Sequence, residues 1–391
     1  MKHIVWLLIG ILPACGAGCG ASPARENTSG GAGETPGYFI AAEWNVQALF
    51  DGTETGNEYD EYTVSSGWTA EKYRARITAA SQAILQMIKP GAADTAQSGA
   101  LTAKVPDLIG FVELENETVL EDLARGELSK YGYFWNAFAA IPGSSLGIGI
   151  LSRFPLTDVR AHSITVENET APRPVLEVRL EPRGKPLVFL LCHWKSKLGN
   201  AEHTEALRRS SARVVQRRLG EIREAEEGTP VIVMGDLNEN HDEFYLRSGK
   251  VFCALLPDDP DAAALAAGRN GAAMPGKGAL RSKPEFLVLS GRKPPRSLAF
   301  PDTVNALYSP WGEEMEGGTY YYKEKWETID NMLLSDRLFD GADWDYSFCR
   351  ALNHAPFVTE AGVPNVYMPH NGRGLSDHLP LLLVLKDLRS D

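Results

Sequence analysis

The chain has 391 residues, 43% of them hydrophobic and 23% charged, with a formal net charge of -12. That allows one large domain or two smaller ones, with a sizeable core. The negative balance excludes a sequence-independent nucleic-acid binder that works through a broad basic face, since such affinity comes from many Lys and Arg contacts to phosphates. It leaves room for an enzyme with a local basic patch beside a metal.

In chain order, the first segment reads as an export signal. Lys2 and His3 precede an apolar run over 4–12 that is too short to span a bilayer and suits the h-region of a secretory signal. Leu12-Pro13-Ala14-Cys15 resembles a bacterial lipobox, which would make residues 1–15 the signal, Cys15 the lipidated residue and the membrane a partner through that anchor. Gly16-Ala17-Gly18-Cys19 is a weaker second candidate, and an ordinary cleaved signal peptide is the alternative. Residues 16–37 are rich in Ser, Gly, Pro and Glu, bury little apolar surface and read as a flexible tether. The expectation is an exported protein, either anchored in the periplasm or at the cell surface, or secreted.

Residues 38–391 read as a single domain. Short apolar runs bounded by turn residues predict strands at 38–44, 107–114, 147–151, 175–180, 187–193, 231–234, 329–334 and 379–385. Two amphipathic helices are predicted between them. Over 71–89, Tyr73, Ile77, Ala80, Ile84 and Ile88 form one stripe, stopped by Pro90-Gly91; over 202–226, Leu207, Val214, Val215, Leu219 and Ile222 form a narrower one. The interval near 257–301 is rich in Ala, Gly, Pro and Lys, has little periodicity and reads as a surface insertion. Cys192 sits within a strand-like run as a small hydrophobe. With Cys253 and Cys349 there is no disulfide framework and no CxxC knuckle, and pairing of those two is left open.

Two clusters carry chemistry. Gly235-Asp236-Leu237-Asn238 follows one apolar run and Ser376-Asp377-His378 precedes another. An Asp beside a His, with an Asp and an Asn two residues apart, supplies hard oxygen ligands, a general base and amide contacts, as cleavage of a phosphate ester requires.

Trp44-Asn45-Val46, Phe111-Val112-Glu113, Gly147-Ile148-Gly149-Ile150-Leu151-Ser152-Arg153, His193-Trp194-Lys195-Ser196-Lys197, Gly235-Asp236-Leu237-Asn238, Ile329-Asp330 and Ser376-Asp377-His378 occur in the order seen in the endonuclease/exonuclease/phosphatase, or DNase I-like, superfamily. The resemblance covers about 38–385. It implies a four-layer α/β sandwich of two packed mixed or antiparallel sheets flanked by helices.

It also implies roles. Glu113 resembles the main metal ligand, Asn45 a ligand to metal or metal-bound water, and Asp377 a further ligand. Asp236 and Asn238 resemble the pair that orients the attacking water, while His378 resembles the general acid/base held by Asp330. His193 resembles a donor to the phosphate, with Arg173 and Lys195 as phosphate contacts and Lys197 a second cation. Gln47 departs from the family pattern, which often has an acid or Arg there, and puts a second metal position in doubt. Glu115 and Glu117 have no family match and are expected at the surface; His162, His203, His241, His354 and His370 are expected to be surface or structural.

The cofactor implied is Mg²⁺, with Mn²⁺ or Ca²⁺ as alternatives, and the protein is expected to be a monomer. The leading substrate is nucleic acid, cut by a phosphodiesterase or endonuclease. The alternatives are a phosphatase or sphingomyelinase-like lipid phosphodiesterase, and an inactive binding lipoprotein.

Overall fold

The computed structural model describes residues 6–11, 37–88, 105–166, 169–171, 173–199, 201–246, 253–258, 286–291, 293 and 306–388. Cys15, Cys19, nearly all of the tether and most of the 257–301 interval lie outside the described residues.

Strands, numbered along the chain, form two sheets. The first holds seven, in the spatial order β1 (Trp6–Ile11), β4 (Trp135–Ala140), β5 (Gly147–Ser152), β3 (Leu108–Leu114), β2 (Tyr38–Leu49), β19 (Leu381–Asp387) and β18 (Trp344–Ala351). The second holds eight: β12 (Leu255–Pro257), β13 (Leu287–Ser290), β14 (Ala306–Tyr308), β17 (Asp330–Leu334), β11 (Val231–Asp236), β10 (Leu187–His193), β9 (Val175–Leu180) and β6 (Leu156–His162). Two hairpins, β7 (Thr165–Val166) with β8 (Glu169–Thr170) and β15 (Tyr320–Tyr322) with β16 (Lys325–Glu327), complete the set. Pairing is mixed. β2 runs parallel to β3, β10 to β11, and β13 to both β12 and β14, while the other ladders are antiparallel.

The central strands β2, β3, β5, β10, β11 and β19 are largely apolar because both faces are covered. Along β2, Ile40, Ala42, Trp44 and Val46 join the core under the helices, whereas Phe39 and Ala41 join the core between the sheets, as a period of two requires. That central core also takes Val112, Ile148, Val178, Phe189, Met234 and Leu383. Full burial of each such side chain contributes about 1.5–3 kcal/mol.

Helices α1 (Ala70–Ile84) and α2 (Glu117–Arg125) cover the outer face of the first sheet, with Tyr73, Ile77, Val119 and Leu120 turned inward. Thr69 caps α1 by accepting from Lys72 N, and Asn116 caps α2 by accepting from Val119 N. Helix α3 (Ala201–Ala225) lays Leu207, Val215, Leu219 and Ile222 on the second sheet; the one-turn helix α4 (Glu243–Leu246) follows β11. Helix, sheet, sheet, helix is the four-layer sandwich that the resemblance implies.

One feature differs from the sequence reading. Leu287–Ser290 lies inside the interval read as a surface insertion, yet it is a strand between β12 and β14, with Leu287, Val288 and Leu289 buried; its short apolar run is masked by Ala- and Gly-rich flanks. Cys253 and Cys349, whose pairing the sequence leaves open, are both buried, one beside β12 at the edge of the second sheet and the other on β18 at the edge of the first. The backbone of Trp6–Ile11, within the segment read as an export signal, pairs antiparallel with β4 as an edge strand.

Candidate active site

The parallel strand directions bring the chemistry to one end of the sandwich. Asn45 and Glu113 lie toward the ends of β2 and β3, His193 and Asp236 end β10 and β11, and Asp330 opens the antiparallel β17. His193, Asp236 and Asp330 are direct neighbours in the ladder. At this end the backbone leaves regular geometry: Gln47, Ala48, Glu113 and Asn238 all have positive φ, between 52° and 69°. Such conformations cost about 1–3 kcal/mol each and persist only where surrounding contacts enforce them. Gly235 has φ 127°, and a Cβ there would lie 1.9 Å from the Cys192 carbonyl oxygen, so β10 and β11 approach this closely only with glycine.

His378 is buried, and its Nδ1 pairs with Asp330 Oδ2 at 2.7 Å. The Thr319 hydroxyl donates to the same carboxylate oxygen at 2.5 Å. Burial alone would lower the imidazole pKa, but Asp330, Asp377 and Asp236 together raise it well above the usual histidine value. On the far side of the ring, Nε2 lies 3.9 Å from Asp377 Oδ1. The loop is stitched to β2: Trp44 Nε1 donates to the His378 carbonyl at 3.2 Å, and the Ser376 hydroxyl donates to the Asn45 carbonyl at 2.6 Å while accepting from His378 N at 3.0 Å.

Asn45 behaves as a clamp. Its Nδ2 donates to Glu113 Oε1 at 3.2 Å and to Asp236 Oδ2 at 3.1 Å, and its Oδ1 accepts from Gln47 N at 2.9 Å. The amide nitrogen between two carboxylates makes Asn45 a spacer of ligands in this geometry, where the resemblance implies a ligand. Glu113 also accepts from Ala48 N at 2.7 Å through Oε2. Gln47 is turned away, its amide exchanging two hydrogen bonds with the Tyr367 backbone, at 3.0 and 2.8 Å.

Burial, then repulsion from Asp330, pushes the Asp236 carboxyl up to about 7, against the pull of His378 and the Asn238 backbone. Asp377 is also raised, by burial first and Glu113 among its neighbours. His193 sits between Glu113 and Asp236, with Nε2 3.7 Å from each; burial, Arg173, His378 and Lys195 hold its pKa well below normal, so the ring is neutral. Asn238 N donates to Asp236 Oδ1 at 2.9 Å and its Nδ2 to the Trp194 carbonyl at 3.1 Å, which fixes both residues of the pair.

Two cations act on His193. The Arg173 Nε is buried with no partner, and burial, then the charge of Arg173, lowers the Lys195 pKa. Lys197, read as a second cation of this group, is held by Glu243 Oε2 at 2.6 Å and is neutralised. Glu115 departs from its surface reading: half-buried, it accepts from Asp51 N at 2.6 Å, and burial pushes its carboxyl up to about 8. Sequence reasoning missed Glu43, whose parity on β2 matches Asn45. It is fully buried with both oxygens unpartnered, and burial, then Asp330 and Asp236, raise its pKa well above the ordinary carboxylate value.

Asp236, Asp330 and His378 offer ligand atoms all within 4.8 Å of one another. Asp330 Oδ2 is already committed to the imidazole and Thr319, which makes Asp330 and His378 an oriented acid/base pair. Glu113, Asp236 and Asp377 are the remaining carboxylates that could hold a cation. Burial first, then Asp330 for Asp236 and Glu113 for Asp377, raises the carboxyls, and a divalent cation beside them would offset that cost. An all-oxygen donor set fits a hard cation.

Hard carboxylates, an oriented histidine and a cationic wall define a phosphoester-hydrolase type of site. The sequence matches the profile of the Endonuclease/Exonuclease/phosphatase family over residues 40–289, and the chain belongs to that family, a group of metal-dependent phosphoester hydrolases. Solved structures similar to it include a mannosyl-6-phosphatase of Bacteroides thetaiotaomicron (14% identity, 89% of this chain and 99% of that one, TM-score 0.46). Others are the human Nocturnin catalytic domain with bound sulfate (13%, 90% and 96%, 0.45) and TDP2 of D. rerio with a single-strand DNA product (16%, 89% and 98%, 0.45). No curated protein matches it in sequence.

Proposed function

We propose that the protein is a metal-dependent phosphodiesterase of nuclease type that cleaves by in-line attack of water on phosphorus. The observation that carries this reading is the meeting of opposite charges at the strand ends: His378 pairs with Asp330 at 2.7 Å among the raised carboxyls of Asp236 and Asp377, while Arg173 and Lys195 act on His193, whose Nε2 lies 3.7 Å from both Glu113 and Asp236. A phosphodiester with a bound cation would answer both sets of charge.

Glu113, Asp236 and Asp377 would hold Mg²⁺, or Mn²⁺ or Ca²⁺, which when bound would neutralise charge on the phosphate. Asp236, fixed by Asn45 and the Asn238 backbone, orients water; the positive charge beside it restores its ionised form. His378 exchanges a proton through Nε2, while Asp330 holds the proton on Nδ1. Neutral His193 donates without adding charge, and Arg173 Nε meets a phosphate oxygen as negative charge develops.

A second reading, hydrolysis of a lipid headgroup, draws on Leu198 and Leu246. They are 78% and 62% exposed, Leu198 on the loop after β10 and Leu246 at the end of α4, two segments joined by the Lys197–Glu243 ion pair. Export and anchoring through Cys15 remain part of the proposal. Processing there would remove β1 and leave the outer edge of β4 unpaired.

The test is a panel of single-stranded and plasmid DNA, RNA, sphingomyelin and a generic phosphodiester with Mg²⁺, Mn²⁺ or Ca²⁺. One EDTA-sensitive activity is expected, lost in His378→Ala and Glu113→Ala. Hydrolysis of nothing, or full activity in both variants, sinks the reading; cleavage of sphingomyelin alone selects the second.

A further inference from the structure

One row of side chains leads out of the site and has no part in the chemistry above. The Tyr320 ring stacks on His378 with centroids 4.7 Å apart and planes at 29°, and the two residues also bridge through their backbones. Tyr322 follows on the same face of β15, 6.1 Å further on and 17° from parallel. Lys323 Nζ lies 5.0 Å from the Tyr322 centroid. Tyr322 is 47% exposed.

On the other face, Tyr321 packs on its cross-strand partner Trp326 at 5.1 Å, and Trp326 lies against the core under the helices, so the hairpin is braced from behind. Its turn is costly in a way that keeps the row intact. Lys323 and Glu324 both have positive φ, 48° and 63°, at positions where Asn-Gly is the unstrained choice. A charged residue held at the strained tip places a cation where the aromatic row ends.

We propose that β15–β16 is the subsite for the nucleotide adjoining the scissile phosphate. Its base stacks on Tyr322, and Lys323 contacts the phosphate that follows. This rests on the phosphodiesterase reading and narrows its substrate to single-stranded nucleic acid. A planar ring followed by an anion matches an aromatic ring followed by an ammonium group; a quaternary-ammonium headgroup is also drawn to an aromatic face, but here it would meet the like charge of Lys323. Stacking tolerates any base, because every base has a π-face, so the subsite confers preference for nucleotides without sequence choice.

The test uses the full chain with Mg²⁺ and measures two quantities. The first is kcat and KM on a single-stranded thymidine oligonucleotide. The second is anisotropy of a labelled, cleavage-resistant phosphorothioate oligonucleotide, which reports binding without turnover. Tyr322→Ala should raise KM and the dissociation constant roughly 5- to 100-fold, with kcat within about twofold. Tyr322→Phe keeps the ring and should restore both. Lys323→Ala should reduce the slope of log affinity against log salt by about 0.7.

If Tyr322→Ala, folded by circular dichroism, binds and cleaves the oligonucleotide as the parent does, the subsite is wrong while the hydrolase stands. If the parent cleaves nothing yet binds the oligonucleotide in a Tyr322-dependent way, the hydrolase reading falls and the subsite stands. If the parent neither binds nor cleaves it but hydrolyses glycerophosphocholine, the subsite is overturned.

Discussion

Two buried histidine–carboxylate pairs in this molecule have the same length and opposite electrostatics. His162 Nε2 meets Glu177 Oε2 at 2.7 Å, and His378 Nδ1 meets Asp330 Oδ2 at 2.7 Å. Arg218 completes the first pair, donating to both oxygens of Glu177 at 2.7 and 2.8 Å and tying α3 to β9. Burial would raise Glu177, but His162 and Arg218 overcome it and lower its pKa to about 2. Among the described residues no guanidinium bonds to His378 or Asp330 in this way, and Asp236, Asp377 and Glu43 are pushed upward instead. One cluster is closed and structural; the other keeps its charge unbalanced and so keeps a use for a cation and an anionic substrate.

The comparison breaks first if function does not follow this division. His378→Ala and Asp330→Asn should each lower kcat by about 10²–10⁴ on whichever ester the panel identifies, whereas His162→Ala should leave turnover of the folded enzyme unchanged. Equal losses at both histidines would erase the distinction. Next comes stability: Arg218→Ala leaves Glu177 buried without its main partner and should cost about 3–5 kcal/mol in urea unfolding, with activity per folded molecule retained.

A smaller effect belongs to the cation itself. Mg²⁺ at about 100 times its dissociation constant should stabilise the protein by about 2.7 kcal/mol, read as a rise in melting temperature that Glu113→Gln diminishes and Arg218→Ala does not. The pH limbs separate the two clusters in a further way. Glu177 is depressed in the fold, so its contribution is present above pH 4.5 and is lost as pH falls toward 2. Asp236 is raised, so in EDTA its contribution is present below pH 3.8 and is lost as pH rises through 7. Glu177→Gln should flatten only the acid limb and Asp236→Asn only the neutral one. Urea midpoints across pH 3 to 8 would sharpen the contrast, and a single shared limb would dissolve it.

Much of this was legible in the sequence because strands buried on both faces are written as unbroken apolar runs. The runs at 175–180 and 187–193 are strands over those same residues. The residues at the strand ends were legible through motif order. Less could be read where burial and polarity disagree. β18 interleaves Asp345, Ser347 and Arg350 with its apolar positions, as an edge strand does, and was not foreseen. Glu43 looked like any strand acid until two sheets closed over it. The neutralisation of Lys197 by Glu243 depends on α4, 46 residues away, which no local pattern announces.

Residues 37 and 387 meet in one place. Asp387 N donates to the Gly37 carbonyl at 2.8 Å, and Lys386 pairs with Tyr38 across β19 and β2, while Asn45 and His378 lie toward the other ends of those strands. Seven steps along β2 lead from Tyr38 to Asn45, about 23 Å of extended chain. A label or surface attachment made at 38 or 386 would therefore stand clear of the catalytic mouth, at the opposite pole of the strands that form it.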